Sequence, residues 1–299
     1  MKIKNIFLSL IFITLLTSCD ENSLAPFASN YPSVDERFMG SMTYNNLNSY
    51  ATIRIPNKDY KIYVCTDTHV AGQELNKTLK TFISLYKSDR DCPVACCLGD
   101  LVEADQTYEP FVAAFDGIKE HPNKTDTMFY CIGNHDIFYN QYYAYHHHIA
   151  KTTTYYFVVE SGNTKDLFIC LDTATGTLGR LQMEWLRSLF ESEARKYRHI
   201  IVFTHVNLFR RDNTYADIST TSIEETYELM SLFKQYGVKQ VWAGHDHARD
   251  EFIHGKVKYI TIDSMEEDAP NAAYMILHVG DELNNTFHPI RAAQEEMYP

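Results

Sequence analysis

Five short clusters in the chain combine side chains that bind metal ions or move protons: Asp67-Thr68-His69, Gly99-Asp100, Gly133-Asn134-His135-Asp136, Thr204-His205 and Gly244-His245-Asp246-His247. Their donors are carboxylate oxygens, imidazole nitrogens and one carboxamide oxygen. That mixture suits borderline or fairly hard divalent cations such as Zn, Mn and Fe. The candidate ligands are Asp67, His69, Asp100, Asn134, His205, His245 and His247. They are too many for one tetrahedral centre and enough for two cations that share a carboxylate. A lone HxH or GD fragment means little, because ligation needs convergent partners.

The clusters sit just beyond short apolar runs. Ile62–Cys65, Val94–Leu98, Met128–Ile132, Leu167–Leu171, His199–Phe203 and Lys239–Trp242 read as buried strands. Helical spacing intervenes: Leu75, Leu79, Phe82, Ile83 and Tyr86 share one face, as do Leu181, Trp185, Leu186 and Leu189 within Leu178–Tyr197. A further helix, Ile223–Tyr236, is closed by Gly237. Tyr50–Ile55 alternates as a half-buried strand, and Val257–Ile262, Ala272–Val279 and Thr286–Ile290 are strand-like runs near the end. Strands alternating with helices define an α/β domain, with ligand sites expected beyond the strand ends. There is no internal repeat, and residues 49–299 read as one domain. Residues 20–45 are rich in Asn, Ser and Pro without a clear period, so 19–48 is expected to be a tether.

The ordered motifs resemble the calcineurin-like metallophosphoesterase superfamily, whose pattern is DxH, GDxx(D/N), GNH(D/E), H and GHxH. The resemblance covers roughly residues 60–265, and Leu171-Asp172-Thr173, Gln182-Met183-Glu184-Trp185-Leu186 and Tyr155-Tyr156-Phe157 fit its flanking text. It implies a four-layer α/β/β/α sandwich with a binuclear metal site at the strand ends. Carried over by position, Asp67, His69 and His247 hold one divalent metal, Asn134, His205 and His245 hold the other, and Asp100 bridges them. His135 would be catalytic, protonating the leaving alkoxide or hydrogen-bonding the phosphoryl group. The implied reaction is hydrolysis of a phosphate ester by a hydroxide bridging two Mn, Zn or Fe ions. One position departs from the pattern: Glu103 stands where the family has Asp or Asn behind His135, and its longer side chain has to be accommodated. Purple acid phosphatases place a Tyr ligand there, so Glu103 speaks against an iron–tyrosinate site.

Lys2, Lys4 and the 11-residue apolar stretch Ile6–Leu16 read as a signal peptide spanning 1–18. The stretch is too short to cross a bilayer, which needs about 20 residues. Leu16-Thr17-Ser18-Cys19 resembles the lipobox of bacterial lipoproteins, which implies lipidation of Cys19 and an exported protein anchored to a bacterial membrane, periplasmic or at the cell surface. The alternative is a plain secretory signal with an incidental Cys19. Of the seven cysteines, Cys65, Cys96, Cys97, Cys131 and Cys170 lie in apolar runs and read as small hydrophobes. Cys92, in the turn Asp91-Cys92-Pro93, is the one placed to be a free or paired thiol.

Lys and Arg total 27 against 39 Asp and Glu, a formal charge of -12. That balance repels long polyanions, so the expected partner is a small phosphorylated substrate and not extended nucleic acid. Phosphomonoester, phosphodiester and pyrophosphate remain open. A binding lipoprotein that keeps the fold without turnover is the alternative of a different class, and a nuclease shares the motifs. His146-His147-His148, beside Tyr139, Tyr142, Tyr143 and Tyr145, reads as a surface loop or short helix, or as a substrate-facing wall. Arg210 and Arg211 are either an anion clamp or a solvated pair. Asp246 is expected behind the ligands or facing solvent, and Glu266-Glu267-Asp268 in a solvated loop.

Overall fold

The computed structural model describes residues 31–116, 128–208, 221–267 and 269–290. In chain order its elements begin with α1 (Val34–Asn48), β1 (Ala51–Ile55), β2 (Tyr60–Cys65), α2 (Lys77–Ser88), β3 (Val94–Cys97), α3 (Glu109–Asp116), β4 (Met128–Tyr130) and α4 (Gln141–His148). They continue with β5 (Tyr155–Ser161), β6 (Thr164–Cys170), α5 (Gly179–Glu193), β7 (His199–Phe203), α6 (Ile223–Tyr236) and β8 (Gln240–Ala243). Strands β9 (Asp250–His254), β10 (Val257–Thr261), β11 (Ala273–Val279) and β12 (Leu283–Pro289) complete the described fold. Seven strands form one sheet in the order β1-β5-β6-β7-β8-β10-β9, and five form the other in the order β12-β11-β2-β3-β4.

Successive side chains of a strand point to opposite faces, and here both faces of the central strands are buried. Ile62 and Val64 of β2 join the apolar layer between the sheets, while Tyr63 and Cys65 meet the outer layer with Leu79, Phe82 and Tyr86 of α2. In β6, Phe168 and Cys170 face the other sheet, and Leu167 and Ile169 pack with Leu186 and Phe190 of α5 and Leu229 and Phe233 of α6. Two-sided burial turns each strand into a continuous apolar run. The result is the expected four-layer α/β/β/α sandwich. β2 and β3 pair in parallel, as do β7 and β8, so each pair ends at one edge of its sheet.

Three elements escaped the sequence reading. β9 lies at a sheet edge with mostly exposed residues, so it lacks an apolar run. β5 pairs antiparallel with β6 across a tight turn at Gly162 (φ 56°), and α3 is only eight residues long. The larger correction concerns the tether. Residues 34–48 form α1, opened by a capping box in which Ser33 accepts from the Glu36 N–H and Glu36 accepts from the Ser33 N–H. The helix buries a stripe that is largely polar, and this is why no hydrophobic period marks it. Arg37 donates twice to Asp172, Ser41 Oγ accepts from the Thr153 N–H, and Asn45 Nδ2 donates to Thr154 O.

A second correction concerns Cys92. Its side chain is fully buried and its Sγ donates to Val94 O at 2.9 Å. All six described cysteines are buried, and no disulfide forms among them. No helix among the described residues is long and apolar enough to cross a membrane.

Candidate metal centre

The loops leaving β2 and β3 are laced together by backbone hydrogen bonds. Asp67 N–H donates to Gly99 O, His69 N–H to Asp100 O, Val70 N–H to Leu101 O and Glu103 N–H to Val70 O, all 3.0–3.1 Å. Pulled this close, the backbone is left-handed at Asp67, His69 and Asp100 (φ 49°, 40° and 51°), and again at His245 and His247 (φ 70° and 52°). Such conformations cost a non-glycine residue about 1–3 kcal/mol each and persist where the surroundings over-determine them. Gly99 has φ +107°, and a Cβ there would stand 2.6 Å from His205 Nδ1. The glycine therefore lets the imidazole approach the β3 loop.

Hydrogen bonds behind the imidazoles fix which nitrogen faces inward. His69 Nδ1 lies 3.0 Å from Glu103 Oε2, so its N–H belongs there and Nε2 presents a lone pair. That Nε2 is 3.2 Å from His247 Nε2 and 3.9 Å from Asp67 Oδ1. His205 Nδ1 donates to Leu98 O at 2.8 Å, leaving Nε2 aimed at Asn134 Oδ1 (3.0 Å) and Asp100 Oδ2 (3.3 Å). Asp67 Oδ2 is satisfied by Thr66 Oγ1 and the His245 N–H, whereas its buried Oδ1 has no hydrogen-bond partner and stands 3.3 Å from His247 Nε2. With these nitrogens unprotonated, two knots of acceptors converge, which either protons or cations can satisfy.

Asp100 lies between the knots. Its Oδ1 accepts from the His135 N–H at 2.8 Å, and its Oδ2 is 3.3 Å from His205 Nε2 and 3.8 Å from His69 Nε2. The three-donor groups able to hold a metal among the described residues are Asp67/His69/His247, His69/Asp100/His135 and Asp100/His205/His245. All nine residues singled out from the sequence converge here. Asn134 and His205 meet directly, His245 lies against His205 with ring centroids 5.1 Å apart, and Glu103 lies against His69 and His135.

The electrostatics agree with a site built for positive charge. Burial alone would lower His69 and His205, but Glu103, Asp100 and Asp67 around the first and Asp100 and Asp67 around the second hold both at about 9. Burial opposes ionisation of Asp67, yet His247 and His205 keep it at about 2. Asp100 is likewise held well below the usual carboxylate range against its burial, chiefly by His205. The His69 hydrogen bond keeps Glu103 at about 2.

Two contributors lay outside the assigned set. Asp136 accepts from the N–H groups of Asp100, Leu101 and Gly133 and from Tyr108 Oη, binding the β3 and β4 loops together. Burial and then the Asp100 charge raise it to about 7. Its signal was the fourth position of GNH(D/E). Glu266 Oε2 stands 3.9 Å from His247 Nδ1, and nothing local in its sequence marks that role. Glu266 and Glu267 lie in a loop with side chains 46% and 41% exposed, as expected, and Glu267 also accepts from the Lys77 N–H at the start of α2. Asp246 is bonded to Asn207 Nδ2. The histidine run forms the last turn of α4, the short-helix reading. Cys19, Arg210, Arg211 and Asp268 lie outside the described residues.

Two sheets flanked by helices, with an Asp/His/Asn centre at the strand ends, define the class: an α/β fold of the metal-dependent phosphoesterase type. The calcineurin-like phosphoesterase family profile matches residues 60–249. The chain belongs to that family, and with it to the phosphoric ester hydrolases that typically use two divalent metals. Solved structures with the same fold include GAP50, the anchor in the inner membrane complex of Plasmodium, at 13% identity and TM-score 0.57, covering 79% of this chain and 86% of that one. A dimetal phosphatase from Danio rerio is similar at 12% identity and TM-score 0.56, covering 77% and 96%. Purple acid phosphatase PPD1 from yellow lupin (Lupinus luteus) seeds is similar at 12% identity and TM-score 0.54, covering 79% of this chain and 53% of that one. Comparison with curated protein sequences gave no match.

Proposed function

We propose that this protein hydrolyses a small phosphate ester at a two-metal centre. Asp67, His69 and His247 would hold one cation and Asn134, His205 and His245 the other, with Asp100 shared. The observation that carries the reading is the convergence of ligand atoms into neighbouring groups that share Asp100, most plainly His69 Nε2 and His247 Nε2, 3.2 Å apart beside Asp67. Bound there, two divalent cations would supply Lewis acidity toward the phosphoryl oxygens and lower the pKa of an attacking water. Asn134 contributes an oxygen without charge, so it binds without weakening that acidity. His135 sits at the rim, part-exposed, its backbone fixed by Asp100 and its Nδ1 3.0 Å from Glu103. From there its other nitrogen protonates the departing alkoxide.

A small substrate agrees with the net charge of -12, which disfavours a long polyanion. The test is hydrolysis of aryl phosphate monoesters, diesters and pyrophosphate by protein reconstituted with Mn, Zn or Fe. EDTA-sensitive turnover of one class supports the reading, and metal uptake without turnover of any class favours a binding role.

We also propose export and membrane anchoring through lipidated Cys19, supported by the lipobox-like Leu16-Thr17-Ser18-Cys19. Cys19→Ala is expected to shift the protein from the membrane to the soluble fraction. Unchanged partitioning contradicts the anchor.

A further inference from the structure

We infer that the outward face of α1 and α4 is a membrane-contact surface, resting on the phospholipid bilayer to which Cys19 ties the chain and turning the rim of the metal centre toward it. The inference rests on the anchoring reading above and adds an orientation to it. Two stretches, 38–53 and 137–150, contain no Asp, Glu, Lys or Arg, in a chain where such residues make up 22%. They belong to neighbouring helices. Tyr142 of α4 lies in the field of the Arg37–Asp172 pair, and Tyr31, ahead of α1, packs on Phe138, ahead of α4, with ring centroids 6.4 Å apart.

Arg37, Ser41 and Asn45 turn inward from α1. Residues two positions on point the opposite way on a 3.6-residue helix. Met39 and Leu47 accordingly stand 51% and 80% exposed, with Tyr44 at 39%. α4 buries Gln141, Tyr142 and Tyr145 and leaves Tyr143 58% exposed. Tyr139, 41% exposed, sits in a left-handed turn (φ 52°) followed by Asn140 (φ 64°). These five are most of the large apolar side chains exposed among the described residues.

The occupant follows from charge and reach. Single exposed apolar residues are ordinary, but a clustered, charge-free patch marks an interaction surface. Tyr favours the membrane–water boundary, where its ring is apolar and its hydroxyl wet. An anionic headgroup layer repels a chain of net charge -12 over about 8 Å at physiological salt. Held against that layer, the protein presents the face without carboxylates. Cys19 precedes Tyr31 by 12 residues, at most about 40 Å of fully extended chain, and Tyr31 stands at the edge of this face. Phe138 also lies against His135, ring centroids 6.4 Å apart, so the face runs to the rim of the metal centre.

The test places the protein, lipidated at Cys19, in vesicles of phosphatidylcholine and phosphatidylglycerol and maps side-chain exposure by hydroxyl-radical labelling and mass spectrometry. The reference is Cys19→Ala in solution. Met39, Tyr44, Leu47, Tyr139 and Tyr143 are expected to lose labelling several-fold on the vesicles, while Ile223 and Tyr227 of α6, 68% and 64% exposed, keep theirs. The double variant Leu47→Glu/Tyr143→Glu should regain labelling at Met39 and Tyr139 on the vesicles with Tm unchanged. Equal labelling on and off the vesicles, or shielding centred on α6, overturns the inference. So does shielding of the face in Cys19→Ala as its concentration rises, which assigns it to a second copy. Absence of an acyl chain on Cys19 overturns the anchoring reading alone. The face is then tested with the Cys19 thiol coupled to a maleimide phospholipid in the same vesicles, the six other cysteines being buried, and the same labelling pattern is expected.

Discussion

Arg37 and Asp172 form a fully buried, two-pronged ion pair, Nε to Oδ2 and Nη2 to Oδ1, each 2.8 Å, joining α1 to the loop after β6 across 135 residues. Arg37 Nη1 donates to Pro32 O, and Gln182 binds both the N–H and the carbonyl of Asp172, so neither partner has room to relax. Removing one member of such a pair strands the other charge, at a cost of about 3–5 kcal/mol. Arg37→Ala and Asp172→Ala are each expected to lower Tm sharply by thermal denaturation. A chain beginning at residue 49 should be destabilised as well. Wild-type stability in either point variant contradicts an integral α1.

The fold and the site were legible in the sequence to different depths. Strands such as β2 and β7, buried on both faces, announce themselves as apolar runs, and the ligands stand immediately beyond them. α1 was invisible because Arg37, Ser41 and Asn45 fill its buried stripe, and polar burial is recognised only when partners 109–135 residues away are known. β9 was invisible because an exposed edge imposes no pattern. In the site, the motifs located His69, Asp100 and His205. The left-handed turns that aim them, and the reach of Glu103 to two rings, depend on contacts between loops from different strands.

Acidity should set metal uptake. Without metal, His69 and His205 titrate at about 9, above the ordinary 6.5. Their contribution to stability is then full below about pH 6.5 and lost as pH rises through about 9. Asp67, held at about 2, contributes above its ordinary 3.8, and that contribution is lost as pH falls through about 2. Metal needs the unprotonated Nε2 atoms, so binding should release protons and tighten as pH rises towards about 9. Calorimetry in buffers of different ionisation enthalpy reads this directly, and uptake without proton release contradicts it.

His135 should be needed for turnover and dispensable for loading. His135→Ala is expected to keep its metal and lose about 10²–10⁴-fold in kcat on alkyl phosphates. Activated aryl esters should suffer less. Loss of metal from this variant, measured by elemental analysis, contradicts its assignment as proton donor.

The most direct measurement is a metal titration of the purified protein beside Asp100→Asn, counting bound Mn or Zn per chain. Two converging knots of acceptors predict about two equivalents in the wild type. EDTA should remove them together with activity, and readdition should restore both. Asp100→Asn should weaken both equivalents, because the carboxylate stands between the knots, 3.3 Å from His205 and 3.8 Å from His69. Absence of stoichiometric uptake by the wild type, or two undisturbed equivalents in Asp100→Asn, contradicts the shared two-metal centre.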